Sequence, residues 1–93
     1  MTIFNKIEWR KDRVDHIAIK HGITPIEVEE VCFGDPLIGK GPGRKKKRLY
    51  YALGQTTTGR YLFVVLKPLG KGRARPITAR DMTPAQRRRY LRR

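Results

Sequence analysis

Apolar positions along this chain recur with helical spacing up to about residue 33 and with strand-like alternation after it. Val14, Ile17 and Ala18 fall on one face of a helix predicted over residues 13–21, with Asp12 as its cap, Asp15 in its first turn and Gly22 as its stop. A second helix carries a fuller start signal. Thr24 is placed as the N-cap, Pro25 at the first helical position, and Glu27 where its side chain can reach back to close a capping box. Ile23 and Val28 have the spacing of a hydrophobic staple. Val28, Val31 and Cys32 continue the apolar stripe until Gly34-Asp35-Pro36 breaks it.

Residues 48–56 and 61–67 are rich in aromatic and branched side chains and read as strands joined by a hairpin loop at Thr57-Thr58-Gly59. The run from Tyr61 to Leu66 is apolar on both faces, which predicts a central strand covered on both sides. Gly70-Lys71-Gly72 marks a second turn, leading into a strand over residues 74–79. Pro76 cannot donate to a ladder, so that strand is expected at an edge or with a bulge. A short extra strand fits at residues 37–39, and residues 39–47 read as a mobile loop. Thr83-Pro84-Ala85-Gln86 repeats the cap and capping-box pattern and opens a terminal helix expected to run through Arg93. The fold class expected is α+β: two N-terminal helices, an antiparallel sheet of three to four strands, and a C-terminal helix, in one domain over residues 1–93.

Length and composition narrow the class. Ninety-three residues hold one modest core. The longest apolar run falls far short of the roughly 20 residues of a membrane helix, and the first residues lack the apolar stretch of a secretory signal. A lone cysteine, Cys32, forms neither an internal disulfide nor a zinc site, so a cytoplasmic protein is expected, with no metal, no cofactor and no membrane partner.

Charge changes the picture more. Residues 1–35 carry five basic and seven acidic side chains, whereas residues 36–93 carry 17 basic side chains and a single acid, Asp81. Such density costs folding energy through self-repulsion, which a polyanion or an acidic protein would offset. Nucleic acid leads, because each neutralised phosphate releases a condensed counterion. Arg44-Lys45-Lys46-Lys47-Arg48 reads as a clamp for phosphates, or alternatively as a solvated loop or a surface for an acidic partner. Strand alternation puts Thr78 and Arg80 on one face and Arg75, Ile77 and Ala79 on the other. Arg80 then either offers its planar fork to a phosphate or serves Asp81 and the last helix. On that helix Arg88 and Arg92 share a face, with Arg89 and Arg93 further round. His16 and His21 are the only imidazoles, and His21 suits a helix's last turn as well as it suits a base. With only Asp81 acidic after residue 35, the several carboxylates of two-metal nuclease chemistry are not at hand.

Taken in order, Glu8-Trp9, Lys20-His21-Gly22-Ile23-Thr24-Pro25, Glu27-Val28-Glu29-Glu30-Val31, Ala52-Leu53-Gly54-Gln55-Thr56, Gly59-Arg60-Tyr61-Leu62, Ile77-Thr78-Ala79-Arg80 and Thr83-Pro84 through Arg87-Arg88-Arg89-Tyr90 resemble the BrnT family, over roughly residues 7–90. That resemblance implies a RelE-like fold and a metal-independent endoribonuclease that inhibits translation. It also implies a toxin of a type II toxin–antitoxin system, neutralised by a BrnA-like, DNA-binding antitoxin, with the complex on operator DNA. By position, Arg80 matches the family's arginine after the last strand, and Arg87 to Arg89 match its basic helix. The family usually has glutamate where this chain has Gln86, and an aliphatic residue where it has Pro76.

The expected chemistry is attack of a ribose 2′-hydroxyl on the adjacent phosphate. Arg80, Arg75 and Arg88 stabilise the developing charge, Lys67 joins them, and His21, Tyr61 or a lysine serves as base. Arg44, Lys45, Lys46, Lys47, Arg48, Arg60, Arg87 and Arg89 would hold the RNA. The alternative is a non-catalytic basic nucleic-acid-binding module using Tyr50, Tyr51 and Tyr61 for stacking.

Overall fold

The computed structural model describes residues 4–41, 43 and 48–93, the side chains of residues 19 and 20 aside. In chain order the elements are β1 (Lys6–Ile7), α1 (Lys11–His21), α2 (Pro25–Phe33), β2 (Leu37–Lys40), β3 (Tyr50–Gln55), β4 (Tyr61–Gly70), β5 (Arg73–Asp81) and α3 (Pro84–Leu91). The strands form one five-stranded sheet in the order β1-β5-β4-β3-β2. The α+β class holds, but the expected three to four strands become five. The unforeseen one, β1, pairs parallel to β5 through Lys6–Arg73 and Ile7–Ala74, and two residues are too few to show an alternation.

The local start signals act as their chemistry requires. In α2 the Glu27 N–H donates to Thr24 Oγ1 at 3.2 Å and the Thr24 N–H to Glu27 Oε1 at 3.0 Å. Thr83 and Gln86 repeat this pair at 3.2 and 3.0 Å at the start of α3, which ends at Leu91 rather than Arg93. Helix α1 begins earlier than expected. Arg10 holds its cap position without a side-chain bond, and Asp12 lies in the first turn. Of the residues expected as a mobile loop, Gly39 and Lys40 belong to β2 and the Gly41 N–H donates to the Leu49 carbonyl at 2.7 Å, while residues 42 and 44–47 lie outside the described residues.

Helices α1 and α2 cover one face of the sheet. Ile17, Ile23, Val28, Val31 and Cys32 meet Ala52, Leu62, Val64, Leu66, Ala74 and Ala79, all buried. Of the face read into α1, Ile17 is buried, Val14 is half-buried and Ala18 is exposed. Gly54 lets α2 approach, since a Cβ there would lie 2.7 Å from Val31 Cγ1.

Pro76 decides the phase of β5. β1 flanks that strand only at Arg73 and Ala74, so at Pro76 it is paired with β4 alone, and a bulge lies beside the residue that lacks an N–H. Val65 pairs with Thr78 and Leu66 with Pro76, leaving Ile77 as the extra residue. The bulge resets the alternation. Ala74, Pro76 and Ala79 are buried toward the helices, while Arg75 joins Thr78 and Arg80 on the other face, correcting the simple alternation that set Arg75 opposite Arg80.

That second face is covered by α3 at one end only. Leu53 is buried there, and Tyr61 meets the buried Tyr90 edge-to-face at 6.1 Å. The expectation that β4 is covered on both sides therefore holds for its first residues alone; Phe63 and Val65 remain half-exposed and Lys67 exposed. Among the described residues no helix is long and apolar enough to cross a membrane.

Candidate functional site

The uncovered part of the sheet collects side chains from three neighbouring strands. Phe63 stands opposite Arg80, Val65 opposite Thr78 and Lys67 opposite Arg75. From β3, Tyr51 stacks on Phe63 with centroids 5.6 Å apart and planes 15° from parallel. The Arg80 guanidinium sits 4.4 Å from the Phe63 centroid, so a tyrosine, a phenylalanine and an arginine run side by side across the face. Gly39 on β2 makes the room for this row, because a Cβ there would lie 2.5 Å from the Tyr51 ring.

Arg80 is tied to the start of the last helix. Its Nη1 donates to the Asp81 carbonyl at 3.1 Å and to Gln86 Oε1 at 3.3 Å. Gln86 Oε1 also accepts from Thr83 N–H, so the capping box itself positions the arginine. The Nε and Nη2 edge of Arg80 has no hydrogen-bond partner among the described residues and keeps the fork that suits phosphate. Among the described residues, neither Lys67, Arg75 nor Arg80 meets a carboxylate at ion-pair distance. Arg75 Nε is buried and without a partner.

The other sequence candidates separate from this cluster. Arg88 and Arg89 are exposed on α3, and Arg88 lies about 200° round the helix from the buried Tyr90, turned to solvent and away from Arg80. Arg87 lies 4.2 Å over the Tyr61 ring. His21 ends α1, the helix on the opposite face, with its ring edge-on to His16 at 6.4 Å. Tyr50 also faces the helices and meets Phe4 at 6.3 Å, so of the three tyrosines considered for stacking only Tyr51 reaches the open face. Arg48 is half-buried, and Arg44, Lys45, Lys46 and Lys47 lie outside the described residues.

Arg60 stands in a network of its own. Its Nε and Nη2 donate to the Asp81 carboxylate at 2.9 and 3.4 Å, and its Nη1 and Nη2 to the Gly22 and His21 carbonyls at 2.9 and 3.2 Å. Glu27 Oε2 lies 3.4 Å away. The hydrogen bond to Asp81, outweighing partial burial and helped by the charges of Asp81 and Glu27, raises the guanidinium above its ordinary pKa. On the helical side, burial and then the charge of Glu29 push the Cys32 thiol up to about 12. An apolar cavity of about 280 Å³ lies between Phe4, Tyr50, Pro68 and Arg73, whose guanidinium is taken by Glu8 at 3.0 Å. No cluster of three or more His, Cys, Asp or Glu side chains forms among the described residues.

Phe63 was the residue least visible as a site member in the sequence. Its signal was the period-two series Tyr61, Phe63, Val65, Lys67, which is legible only once α3 is known to cover Tyr61 and leave the rest.

A family model described as ribonuclease toxin, BrnT, of type II toxin–antitoxin system matches residues 9–86. This chain belongs to the BrnT family. The match takes in Tyr51, Phe63, Lys67, Arg75, Arg80 and Gln86 and stops short of Arg87 to Arg89. The BrnT fold is seen directly in the crystal structure of the ribonuclease toxin BrnT from Brucella abortus, which is similar with a TM-score of 0.61 over 84% of this chain and 96% of that one, at 20% identity. No curated protein sequence matches significantly. Membership of BrnT assigns the chain to ribonuclease toxins with an antitoxin partner.

Proposed function

We propose that this BrnT protein cleaves RNA without a metal ion on the open face of its sheet, and that it thereby blocks translation in the cytoplasm. The observation that carries the reading is the Pro76 bulge, which brings Arg75 onto the face of Arg80 and Lys67, three cations with no acidic partner among the described residues. The ribose 2′-oxygen forms a bond to phosphorus while the bond to the 5′-oxygen breaks, leaving a cyclic phosphate and a 5′-hydroxyl. Arg80 presents its free edge to the phosphoryl oxygens, and charge stabilisation of this kind is often the largest catalytic contribution. Lys67 supplies a proton to the departing 5′-oxygen. Neither a carboxylate nor an imidazole stands on this face among the described residues, so the 2′-hydroxyl proton passes to water. Arg87 and Arg89, with the 44–48 run, hold the RNA backbone. A BrnA-like antitoxin inhibits by covering the same face, and the pair rests on operator DNA through the antitoxin.

The test is cleavage of RNA in excess chelator by purified protein. Activity should persist, with cyclic phosphate at the new 3′ ends. Arg80→Ala should lower turnover by about 10²- to 10³-fold, the usual cost of one charge-stabilising donor, while RNA affinity stays within a few-fold. Cleavage abolished by chelator and restored by magnesium would overturn the mechanism. A non-catalytic binding module uses the same cations and aromatics; family membership favours the nuclease.

A further inference from the structure

We propose that Gln86 is a positioning residue for Arg80, one neutral oxygen that starts α3 and aims the guanidinium while leaving its charge whole for a phosphate. This rests on the reading of Arg80 as a phosphate-binding group, and its test is separable from cleavage.

The molecule holds its own comparison. Helices α2 and α3 open on the same capping box, and in each the side chain three residues after the cap also touches an arginine. In α2 that side chain is Glu27. Its Oε1 accepts from the Thr24 N–H at 3.0 Å, and its Oε2 lies 3.4 Å from Arg60 Nη1. In α3 it is Gln86, whose Oε1 accepts both from the Thr83 N–H at 3.0 Å and from Arg80 Nη1 at 3.3 Å. Glutamate and glutamine both close a capping box, so the cap does not choose between them. The arginine feels the difference.

Arg60 stands between two carboxylates, Glu27 and Asp81, and its fork is committed to the fold. Arg80 instead meets an amide oxygen and the Asp81 main-chain carbonyl, both uncharged, while the Asp81 carboxylate is held by Arg60. A carboxylate at position 86 would lie at ion-pair distance from Arg80 and cancel the charge that draws phosphate. Two donors settle which way the amide lies. Turned over, its own N–H groups would oppose the Thr83 N–H and the Arg80 guanidinium. Its Nε2 has no hydrogen-bond partner among the described residues, where a glutamate would carry a second anionic oxygen. With the Phe63 ring 4.4 Å from the guanidinium, the Nη1 contacts fix the plane of Arg80 and leave its Nε and Nη2 edge open.

Gln86→Glu and Gln86→Ala separate the charge from the aim. The probe is a single-stranded deoxyoligonucleotide, which lacks the 2′-hydroxyl and stays intact. Its binding is followed by fluorescence anisotropy across a salt series, with melting curves beside it. Gln86→Glu should keep the cap and the melting midpoint, yet lower the slope of log affinity against log salt by about 0.7, the equivalent of one phosphate contact on a single strand. In an Arg80→Ala background the same substitution should leave the slope unchanged, because it acts through Arg80. Gln86→Ala should melt a few degrees lower for want of its cap bond and keep the salt slope, and on RNA it should lower kcat several-fold with KM nearly unchanged.

An unchanged slope in Gln86→Glu, where Arg80→Ala lowers it, would overturn the role of Gln86 and leave Arg80 as the phosphate group. An equal fall with and without Arg80 would mean that the new charge repels nucleic acid directly, which also overturns it. So would faster cleavage by Gln86→Glu, the residue usual in the family, since position 86 would then be an acid–base group. If Arg80→Ala itself leaves the slope untouched, the phosphate reading of Arg80 fails and this one with it. If the slopes behave as expected but RNA is not cleaved, the nuclease reading fails and the positioning of Arg80 stands.

Discussion

Replacing Arg60 by methionine keeps most of the stem's packing and removes the charged fork, and it separates a structural arginine from one that grips RNA. The fork ties three places together: the last carbonyls of α1 at His21 and Gly22, the Glu27 side chain in the cap of α2, and Asp81 at the end of β5. The Arg60 side chain is 30% exposed and that of Asp81 65%, so the Asp81 pair is screened and contributes only about 0.2–1 kcal/mol. The two carbonyl bonds satisfy groups that a helix end leaves orphaned, at roughly 0.5–1 kcal/mol each after allowance for exposure. With a smaller part from Glu27, the loss comes to about 2–3 kcal/mol. For a domain of this size each kcal/mol moves the midpoint by roughly 4–8 °C, so Arg60→Met should melt about 8–24 °C lower by far-UV circular dichroism. Arg60→Lys, which retains charge but no fork, should fall between the two. If the midpoint stays within about 2 °C while RNA affinity and its salt dependence both drop, the structural account is wrong and Arg60 faces the nucleic acid.

Gly54→Ala should destabilise by about 1–3 kcal/mol in a denaturant melt, because the new methyl meets Val31 Cγ1 at 2.7 Å, and Val31→Ala should recover part of that loss. Cys32, buried and with its thiol pushed up to about 12, should react with a thiol reagent at pH 8 far more slowly in the folded protein than in denaturant; prompt modification in native buffer would contradict its placement. The sign of the same shift makes Cys32 a source of stability that is complete below the ordinary thiol pKa and erodes as pH rises above it, so Cys32→Ala should flatten the alkaline side of the pH–stability curve. Neutralising Lys45, Lys46 and Lys47 together should lower the slope of log affinity against log salt for single-stranded RNA by about 2, and an unchanged slope would remove those residues from the interface.

What was legible in the sequence was what neighbours in the chain decide. The two capping boxes close between residues three apart, so Thr24-Glu27 and Thr83-Gln86 announce α2 and α3 without knowledge of the fold. Pro76 announced its bulge or edge for the same reason, since a missing N–H is a property of one residue. The consequence of the bulge was not local. Which face Arg75 joins depends on where the extra residue enters against β4, and the register puts it at Ile77. The network around Arg60 is not legible in the sequence because its partners lie 21 to 39 residues away, at Asp81, Glu27, Gly22 and His21. The stack of Tyr51 on Phe63 was hidden for a further reason. Its exposure follows from how far α3 reaches along the sheet, which the helix's own arginine-rich pattern does not state.

The sheet also sorts charge, and this bears on how the molecule can be both held and used. Glu8, Asp12, Glu27 and Asp35 all lie in the acidic first third, and they pair with Arg73, Arg10, Arg60 and Arg93. Glu29 accepts from Trp9 and Glu30 from Thr57, so these two are also committed within the fold. The only acid of the basic region, Asp81, alternates with Arg80 onto the helical face and is held by Arg60. All of the acids but the exposed Asp15 thus have partners within the fold, while Lys67, Arg75 and Arg80 stand on the open face beside two aromatic rings. Their mutual repulsion is a standing cost of the free fold that any anionic occupant relieves. On the proposed reading an RNA strand would relieve it with its phosphates. A protein inhibitor must supply carboxylates and apolar side chains over the same area. On the proposed reading the two occupants have the same requirements and cannot share one small face, so steric exclusion would be sufficient for inhibition without a conformational change in the toxin.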